Sequence, residues 1–218
     1  GIVRAADLEV SLNELIPGMD SSDTRISVAG SMVSRYQADE DPLYKLPENV
    51  AAGGGRIQVS RKGLNVFAEY GYKMNDPSSV NKQIYRPGQA LTLTTTYAAK
   101  GFGILLAAKR LDNFDFRSDR SATGIGANIN YLPAMTRQHT YNLPATIYPY
   151  ATQANGEMGF QAEVNFTLPK GSRIGGKYGT EITLHYAGTN GIRKEKAAND
   201  TFGYKSPFLG VSNEVYFR

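Results

Sequence analysis

The sequence predicts an all-β chain: about ten antiparallel strands in an up-and-down transmembrane β-barrel. Residues 1–218 read as a single barrel domain or as one segment of a larger barrel. Three observations carry this expectation. Apolar residues recur with a period of two. Short and long connections alternate along the chain. Tyr and Phe gather near the ends of the expected strands.

The clearest strands come first. From Leu64 to Met74 one face holds Leu64, Val66, Ala68, Tyr70, Tyr72 and Met74, and the other Asn65, Phe67, Glu69, Gly71 and Lys73. From Met158 to Leu168 one face holds Met158, Phe160, Ala162, Val164, Phe166 and Leu168, opposite Gly159, Gln161, Glu163, Asn165 and Thr167. A helix would scatter these residues around its axis, whereas a strand separates them. Leu91 to Tyr97, Phe102 to Ala108, Ile125 to Tyr131 and Ile182 to Tyr186 fit the same template. Weaker matches run from Asp7 to Leu15, Arg25 to Tyr36, Ile57 to Ser60 and His139 to Ile147.

The connections divide into two kinds. Arg61-Lys62, Ala99-Lys100 and Leu168-Pro169-Lys170-Gly171 read as tight turns, with Gly63, Gly101 and Gly171 expected to supply the positive φ of a hairpin. Pro17-Gly18 and Leu132-Pro133-Ala134 read as further turns. Between them lie polar stretches from Gln37 to Ala52, Asn75 to Gln89, Leu111 to Thr123, Tyr148 to Asn155 and Gly188 to Ser206. All short turns then fall on one side and all long loops on the other, as in outer-membrane barrels. Strands of about ten residues exceed the usual globular length of about five or six. Tyr36, Tyr70, Tyr72, Tyr97, Phe102, Tyr131 and Tyr186 are placed for interfacial girdles.

Composition narrows the function. The chain has 24 Lys+Arg against 20 Asp+Glu, a formal +4, and a mean hydropathy of −0.37. It holds no run of ~20 apolar residues for a membrane helix, but barrel strands alternate and keep mean hydropathy low. With no Cys, disulfides, a thiol nucleophile and cysteine-bound zinc are excluded. Two His argue against a site of several imidazoles. The chain begins at Gly1-Ile2-Val3-Arg4 without Met and stops within an apolar run at Val215-Tyr216-Phe217-Arg218, so it is expected to be an internal piece of a longer protein.

Particular runs also resemble a known family. Gly63-Leu64-Asn65-Val66-Phe67-Ala68-Glu69-Tyr70-Gly71-Tyr72-Lys73, Lys100-Gly101-Phe102-Gly103-Ile104, Ala108-Lys109-Arg110-Leu111-Asp112-Asn113, Leu132-Pro133-Ala134-Met135-Thr136-Arg137-Gln138-His139-Thr140-Tyr141, Tyr148-Pro149-Tyr150-Ala151-Thr152-Gln153 and Asn155-Gly156-Glu157-Met158-Gly159 carry it. Together they resemble an uncharacterised outer-membrane β-barrel family of Bacteroidota, a domain of unknown function. The resemblance extends from about Gly63 to Tyr186. It implies a fold and a compartment, the bacterial outer membrane, and no catalytic residues.

With the apolar faces toward lipid, the lumen is expected to receive Glu69, Lys73, Lys109, Gln161, Glu163, Glu181 and His185. Such mixed charges form a salt-bridged interior or line a pore. Glu163, Glu181 and His185 are expected near one another, because one hairpin joins their strands. An acid/base pair there weighs little, since barrel interiors are polar by default. No Gly-x-Ser-x-Gly elbow is present, and Gly53-Gly54-Gly55, with no Lys-Ser/Thr after it, reads as a flexible lead-in to a strand rather than a phosphate loop. The acidic runs Ala38-Asp39-Glu40-Asp41-Pro42 and Asp112-Asn113-Phe114-Asp115 lack calcium-loop spacing and read as solvated loop charge. Arg117, Arg120, Arg193, Lys194 and Lys196 put positive charge in the long loops, for anionic glycolipid or for simple solubility. Tyr148, Pro149 and Tyr150 make a stiff aromatic loop, suited to contact with a partner or to packing over the barrel mouth.

The functional expectation is a non-enzymatic structural or accessory subunit of an outer-membrane assembly. It needs no cofactor and no metal. It contacts outer-membrane lipid and other outer-membrane or surface proteins, and no nucleic acid. The rivals are a pore or transporter for small or apolar solutes, a soluble ligand-binding β-barrel, and an enzyme working at the rim.

Overall fold

The structure, a computed structural model, describes residues 1–122, 126–135, 152–196 and 203–216. Nine antiparallel strands form one up-and-down sheet: β1 (Ile2–Ser11), β2 (Thr24–Tyr36), β3 (Asn49–Arg61), β4 (Leu64–Lys73), β5 (Gly88–Ala99), β6 (Phe102–Asp112), β7 (Glu157–Leu168), β8 (Thr180–Ile192) and β9 (Val211–Tyr216). Each pairs with its neighbours in sequence, and β1 and β9 are the sheet's two edges. One helical turn, α1 (Leu12–Leu15), follows β1.

Period two survives in three dimensions. Directly opposed residues share a face, so the register carries each face from strand to strand. Gly71 stands opposite both Gly54 and Ala90, and Ala90 opposite Leu111. This inner face lines a cavity and carries the polar residues. The outer face carries the apolar half of each strand, and much of it is uncovered: Leu8 is 69% exposed, Met32 56% and Leu184 60%, with Ile57, Leu93, Leu106 and Phe160 also exposed. The buried apolar residues Leu46, Val50, Leu111, Phe116, Met135 and Ile192 are joined by a larger set of buried polar and charged ones.

Connections segregate by end. Lys62-Gly63, Lys100-Gly101, the stretch after α1 and residues 169–179 join strands at one end. The strand ends joined through residues 37–48, 74–87, 113–156 and 193–210 lie at the other, called the loop end below.

Several details differ from expectation. The weak match from Asp7 to Leu15 ends as a strand at Ser11. The side chain of Asn13 there donates to the Met19 and Thr24 carbonyls, both at 2.7 Å, and accepts from the Ile26 N–H at 2.8 Å. This tertiary contact outweighs the alternating pattern. Gly53-Gly54-Gly55 lies inside β3, which starts at Asn49. A Cβ on Gly54 would meet the Tyr70 carbonyl oxygen at 2.6 Å, so the missing side chain permits a close strand approach. The expected strand from Ile125 to Tyr131 does not join the sheet. Its described part bridges instead to the preceding loop, at Asn128 with Arg117. Leu132-Pro133-Ala134 therefore joins no two strands, and Tyr131 lies in a loop and not at a strand end. The weak match from His139 to Ile147 lies outside the described residues. Leu168-Pro169-Lys170-Gly171 opens a connection that runs on to Gly179 rather than a tight turn.

The turn at Lys62-Gly63 also works differently. Lys62 takes the positive φ, at 50°, while Gly101 and Gly171 take it in their own turns as expected. Gly63 is required for space instead: a Cβ there would lie 2.0 Å from the Ala98 carbonyl oxygen, which accepts no compression because it is backbone. Gly63→Ala is expected to lower stability by about 1–3 kcal/mol, the usual range for overpacking. Denaturant unfolding of the two proteins checks this, and equal midpoints would show that the β3–β4 turn can shift without cost.

Candidate functional site

The candidate site is the inner face at the loop end, where three loops descend on the strand ends. The β6–β7 loop contributes most. Residues 114–118 and 127–130 form a short antiparallel arm: the Ile129 N–H donates to the Phe116 carbonyl at 2.9 Å, and that of Ser118 to the Ala127 carbonyl at 2.8 Å. Asn130 closes it, donating to the Phe114 carbonyl at 2.6 Å and accepting from the Phe116 N–H at 3.1 Å. The arm lies against the inner face. A Cβ on Gly71 would sit 2.7 Å from the Phe114 ring, so β4 carries glycine where the arm seats its phenylalanine.

Beneath the arm the strands end in buried charge. Arg35, near the end of β2, meets Asp76 through two contacts at 2.7 and 3.3 Å and donates to the Arg117 carbonyl at 3.1 Å. Its guanidinium also lies 5.9 Å from the Phe116 ring centre, a cation–π contact. Lys73, last in β4, donates to the Asp115 carbonyl at 2.5 Å and lies 3.9 Å from Asp76. Arg117 grips the Asp115 carboxylate at 2.7 and 3.2 Å. Further along, Lys109 of β6 meets Glu157 of β7 at 2.8 Å and donates to the Pro133 carbonyl at 2.5 Å; neither charged side chain exposes any surface. Asn81 ties the β4–β5 loop to this layer through the Asp76 carbonyl and Asn113, both at 2.9 Å.

A second cluster sits on the outer face at the same end. Asp112 accepts from Arg86 at 2.7 Å, from the Tyr204 hydroxyl at 2.5 Å and from Arg110 at 3.1 Å. Burial, then the Asp112 carboxylate, push the Tyr204 phenol above its ordinary value. The Arg86 guanidinium stacks 4.4 Å from the Tyr204 ring centre. The β8–β9 loop is thereby pinned across the strand ends.

Between the arm and strands β2 to β7 remains a cavity of about 510 Å³, with Phe67, Glu69, Ala90, Thr92, Leu105 and Gln161 on its strand side. Arg56 stands at its side, bound to Asp7 at 2.8 Å and 3.5 Å from Glu9.

The expected lumen residues all fall on the inner face, but they are not one cluster. Lys73 and Lys109 are in the buried layer. Glu69 and Gln161 line the cavity. Glu163 stands directly opposite His185, and Glu163 accepts from Asn165 at 2.9 Å. Glu181 is exposed near the far end of β8, opposite Thr167 and away from that pair. The acidic run Asp112-Asn113-Phe114-Asp115 is not solvated: Asp112, Asn113 and Asp115 are buried against arginine and asparagine. Arg117 and Arg120, expected as loop charge for anionic glycolipid or for solubility, are buried too, whereas Arg193, Lys194 and Lys196 are exposed. Asp39 and Asp41 hold their own loop, Asp41 accepting from the Leu43 and Tyr44 N–H groups at 2.9 Å. Tyr148, Pro149 and Tyr150 lie outside the described residues. Arg35, Asp76 and Glu157 escaped the sequence reading. Parity gave a signal for two of them, since Arg35 and Glu157 extend the inner-face series of β2 and β7. Asp76 sits in a loop, three residues after Lys73. Among the described residues no cluster of three or more His, Asp or Glu is arranged to hold a metal ion, and no helix is long and apolar enough to cross a membrane.

The class of protein defined so far is an all-β, up-and-down antiparallel sheet whose inner face is packed by its own loops and buried ion pairs. The whole chain, residues 1–218, matches the family described as Family of unknown function (DUF6029), and the protein belongs to that family. No curated protein and no solved structure matches it.

Removing one partner of a buried pair strands the other charge and costs about 3–5 kcal/mol, whereas removing both costs far less. Glu157→Gln is therefore expected to cost about 3 kcal/mol, and Lys109→Met in the same chain to recover most of it. Glutamine keeps an acceptor for the Gln153 N–H, which Glu157 holds at 2.8 Å. Additive losses in a double-mutant cycle would show that the two charges are not coupled.

Proposed function

We propose that the chain is the membrane-embedded β-barrel, or a segment of it, of an integral outer-membrane protein, and that it serves as a non-enzymatic structural or accessory subunit of an outer-membrane assembly. The observation that supports this is the outer face. Leu8, Met32, Ile57, Leu93, Leu106, Phe160 and Leu184 stand uncovered on β1, β2, β3, β5, β6, β7 and β8. In water each Å² of such surface costs about 25 cal/mol, and contiguous apolar patches beyond a few hundred Å² mark membrane or partner contacts. Acyl chains remove that cost. Aromatic residues flank the surface: Tyr97 and Phe102 pack 6.4 Å apart at the short-turn end, and Tyr70 and Tyr72 lie toward the loop end.

The inner face supports the accessory role. A layer of ion pairs and a folded-in arm occupy the loop end, which suits a closed structural wall better than a conduit. One observation favours a second reading, a carrier for apolar solutes: the cavity of about 510 Å³ beneath the arm. Solute uptake or conductance in planar bilayers favours the carrier, and a silent bilayer with co-purifying proteins favours the accessory subunit.

Two measurements test the membrane reading. The native protein should fractionate with the outer membrane and migrate differently on a detergent gel before and after heating; release as a soluble monomer overturns the proposal. In addition, Leu93→Arg should cost about 2–4 kcal/mol on refolding into lipid, as an arginine near the midplane of a barrel does. A water-facing site would tolerate the change within about 0.5 kcal/mol.

A further inference from the structure

The cavity beneath the arm carries charge as well as apolar surface. At about 510 Å³ it falls within the roughly 300–1,000 Å³ of small-molecule sites. Its strand side is the middle of the sheet. Register sets Arg56, Glu69, Thr92 and Lys109 in one row of the inner face across β3 to β6. The next row toward the short-turn end holds Gln58, Phe67, Thr94, Ala107 and Gln161. Small side chains at Ala90 and Ala107 leave depth between the rows and the arm.

Glu69 is the uncommitted group. It lines the cavity, is exposed, and makes no hydrogen bond or ion pair among the described residues. The cations on its row are already engaged. Arg56 stands directly opposite, but its guanidinium turns toward β1 and β2, meeting Asp7 through two contacts at 2.8 Å, Ser31 at 2.7 Å and Glu9 at 3.5 Å. Lys109 is held by Glu157 and the Pro133 carbonyl. Asp7, Glu9 and Glu69 therefore outnumber Arg56, and this wall of the cavity is negative. Aromatic rings flank the free carboxylate. Phe67 lies two residues before it on the same face, and the Phe114 ring is seated on Gly71, two residues after it, where a Cβ would come within 2.7 Å. Ring quadrupoles and a carboxylate both favour positive charge.

We propose that this cavity binds an apolar amine: one protonated ammonium held by Glu69 between the Phe67 and Phe114 rings, and an aromatic or aliphatic body against Leu105 and Ala107 beneath the arm. A neutral apolar compound leaves Glu69 without a counter-charge, and an anion meets the negative wall. The inference rests on the cavity of the carrier reading and names the class of solute it accepts, but binding itself requires no transport.

Calorimetric titration of the full-length protein in non-ionic detergent, with empty micelles as the blank, tests it with three probes of similar shape: naphthylethylamine, naphthylethanol and naphthylacetate. Saturable binding of the amine, roughly tenfold or more tighter than the alcohol, with the carboxylate silent, is the expected result. Glu69→Gln should weaken the amine about ten- to a hundredfold, the usual worth of a hydrogen bond to a charged group, and leave the alcohol unchanged. Ala107→Phe, which fills the space for the body, should weaken amine and alcohol alike. Absence of amine binding by the unaltered protein overturns the site, and so does equal affinity for amine and alcohol. An amine affinity unchanged by either substitution places the ligand elsewhere and overturns it too. Should Ala107→Phe fail to fold, Glu69→Gln still decides, because that side chain is exposed. Uptake of the same probes into vesicles separates this inference from the carrier reading: binding of the amine without uptake removes the carrier and leaves the site, whereas uptake of all three alike keeps the carrier and removes the site's preference.

Discussion

Arg35 gives up nearly all of its water near the end of β2, and Asp76 is what replaces it. An isolated buried guanidinium is too costly to persist, so the β4–β5 loop must fold inward far enough to deliver that carboxylate. Asn81 then fixes the loop by holding the Asp76 carbonyl. The Arg35 Nη1, which also meets Asp76, donates to the Arg117 carbonyl, which draws in the β6–β7 arm. Arg117 brings Asp115, and the Asp115 carbonyl satisfies Lys73. Two separate loops are thus positioned by one cation, and removing any carboxylate from the set leaves a buried charge unmatched.

This arrangement inverts the usual division of a globular protein. Its most deeply buried side chains include Arg35, Lys73 and Glu157, while leucine and phenylalanine line the uncovered face. Hydrophobic burial within the chain cannot account for such a sheet. Strand pairing, the polar layer and whatever medium meets the outer face must do so together. In the proposed membrane setting lipid is that medium, and it asks for no change in the sheet.

The sheet was legible in the sequence because its information is local. Leu64 to Lys73 and Met158 to Leu168 lie in β4 and β7 with the expected alternation, and Glu69, Lys73, Lys109, Gln161, Glu163, Glu181 and His185 share one face of the sheet. Signals that span the fold were not legible. Asn13 ends β1 by reaching a carbonyl on β2, and nothing in the alternation from Asp7 to Leu15 announces that contact. The segment ending at Tyr131 has the alternation of a strand, but a ladder partner in the neighbouring loop captures its described part. Alternation reports two unlike faces and says nothing about which strand is opposite. Likewise Asp112, Asp115, Arg117 and Arg120 read as solvated loop charge because composition cannot reveal that loops are folded over one another.

The two ends of the sheet therefore obey different economies of design. At the short-turn end the backbone is the constraint: Gly63 is squeezed by the Ala98 carbonyl and Lys62 accepts a positive φ to keep the turn at two residues. At the loop end the constraint is charge. Each buried cation there has drawn in a carboxylate or a carbonyl, and those contacts determine how the loops fold. Arg120 follows that rule only in part: its Nη2 meets the Pro47 carbonyl, while its buried Nε and Nη1 have no acceptor in the described fold. Arg35 and Arg110 likewise keep a buried Nε without an acceptor, so the layer matches charge with charge before it completes every hydrogen bond.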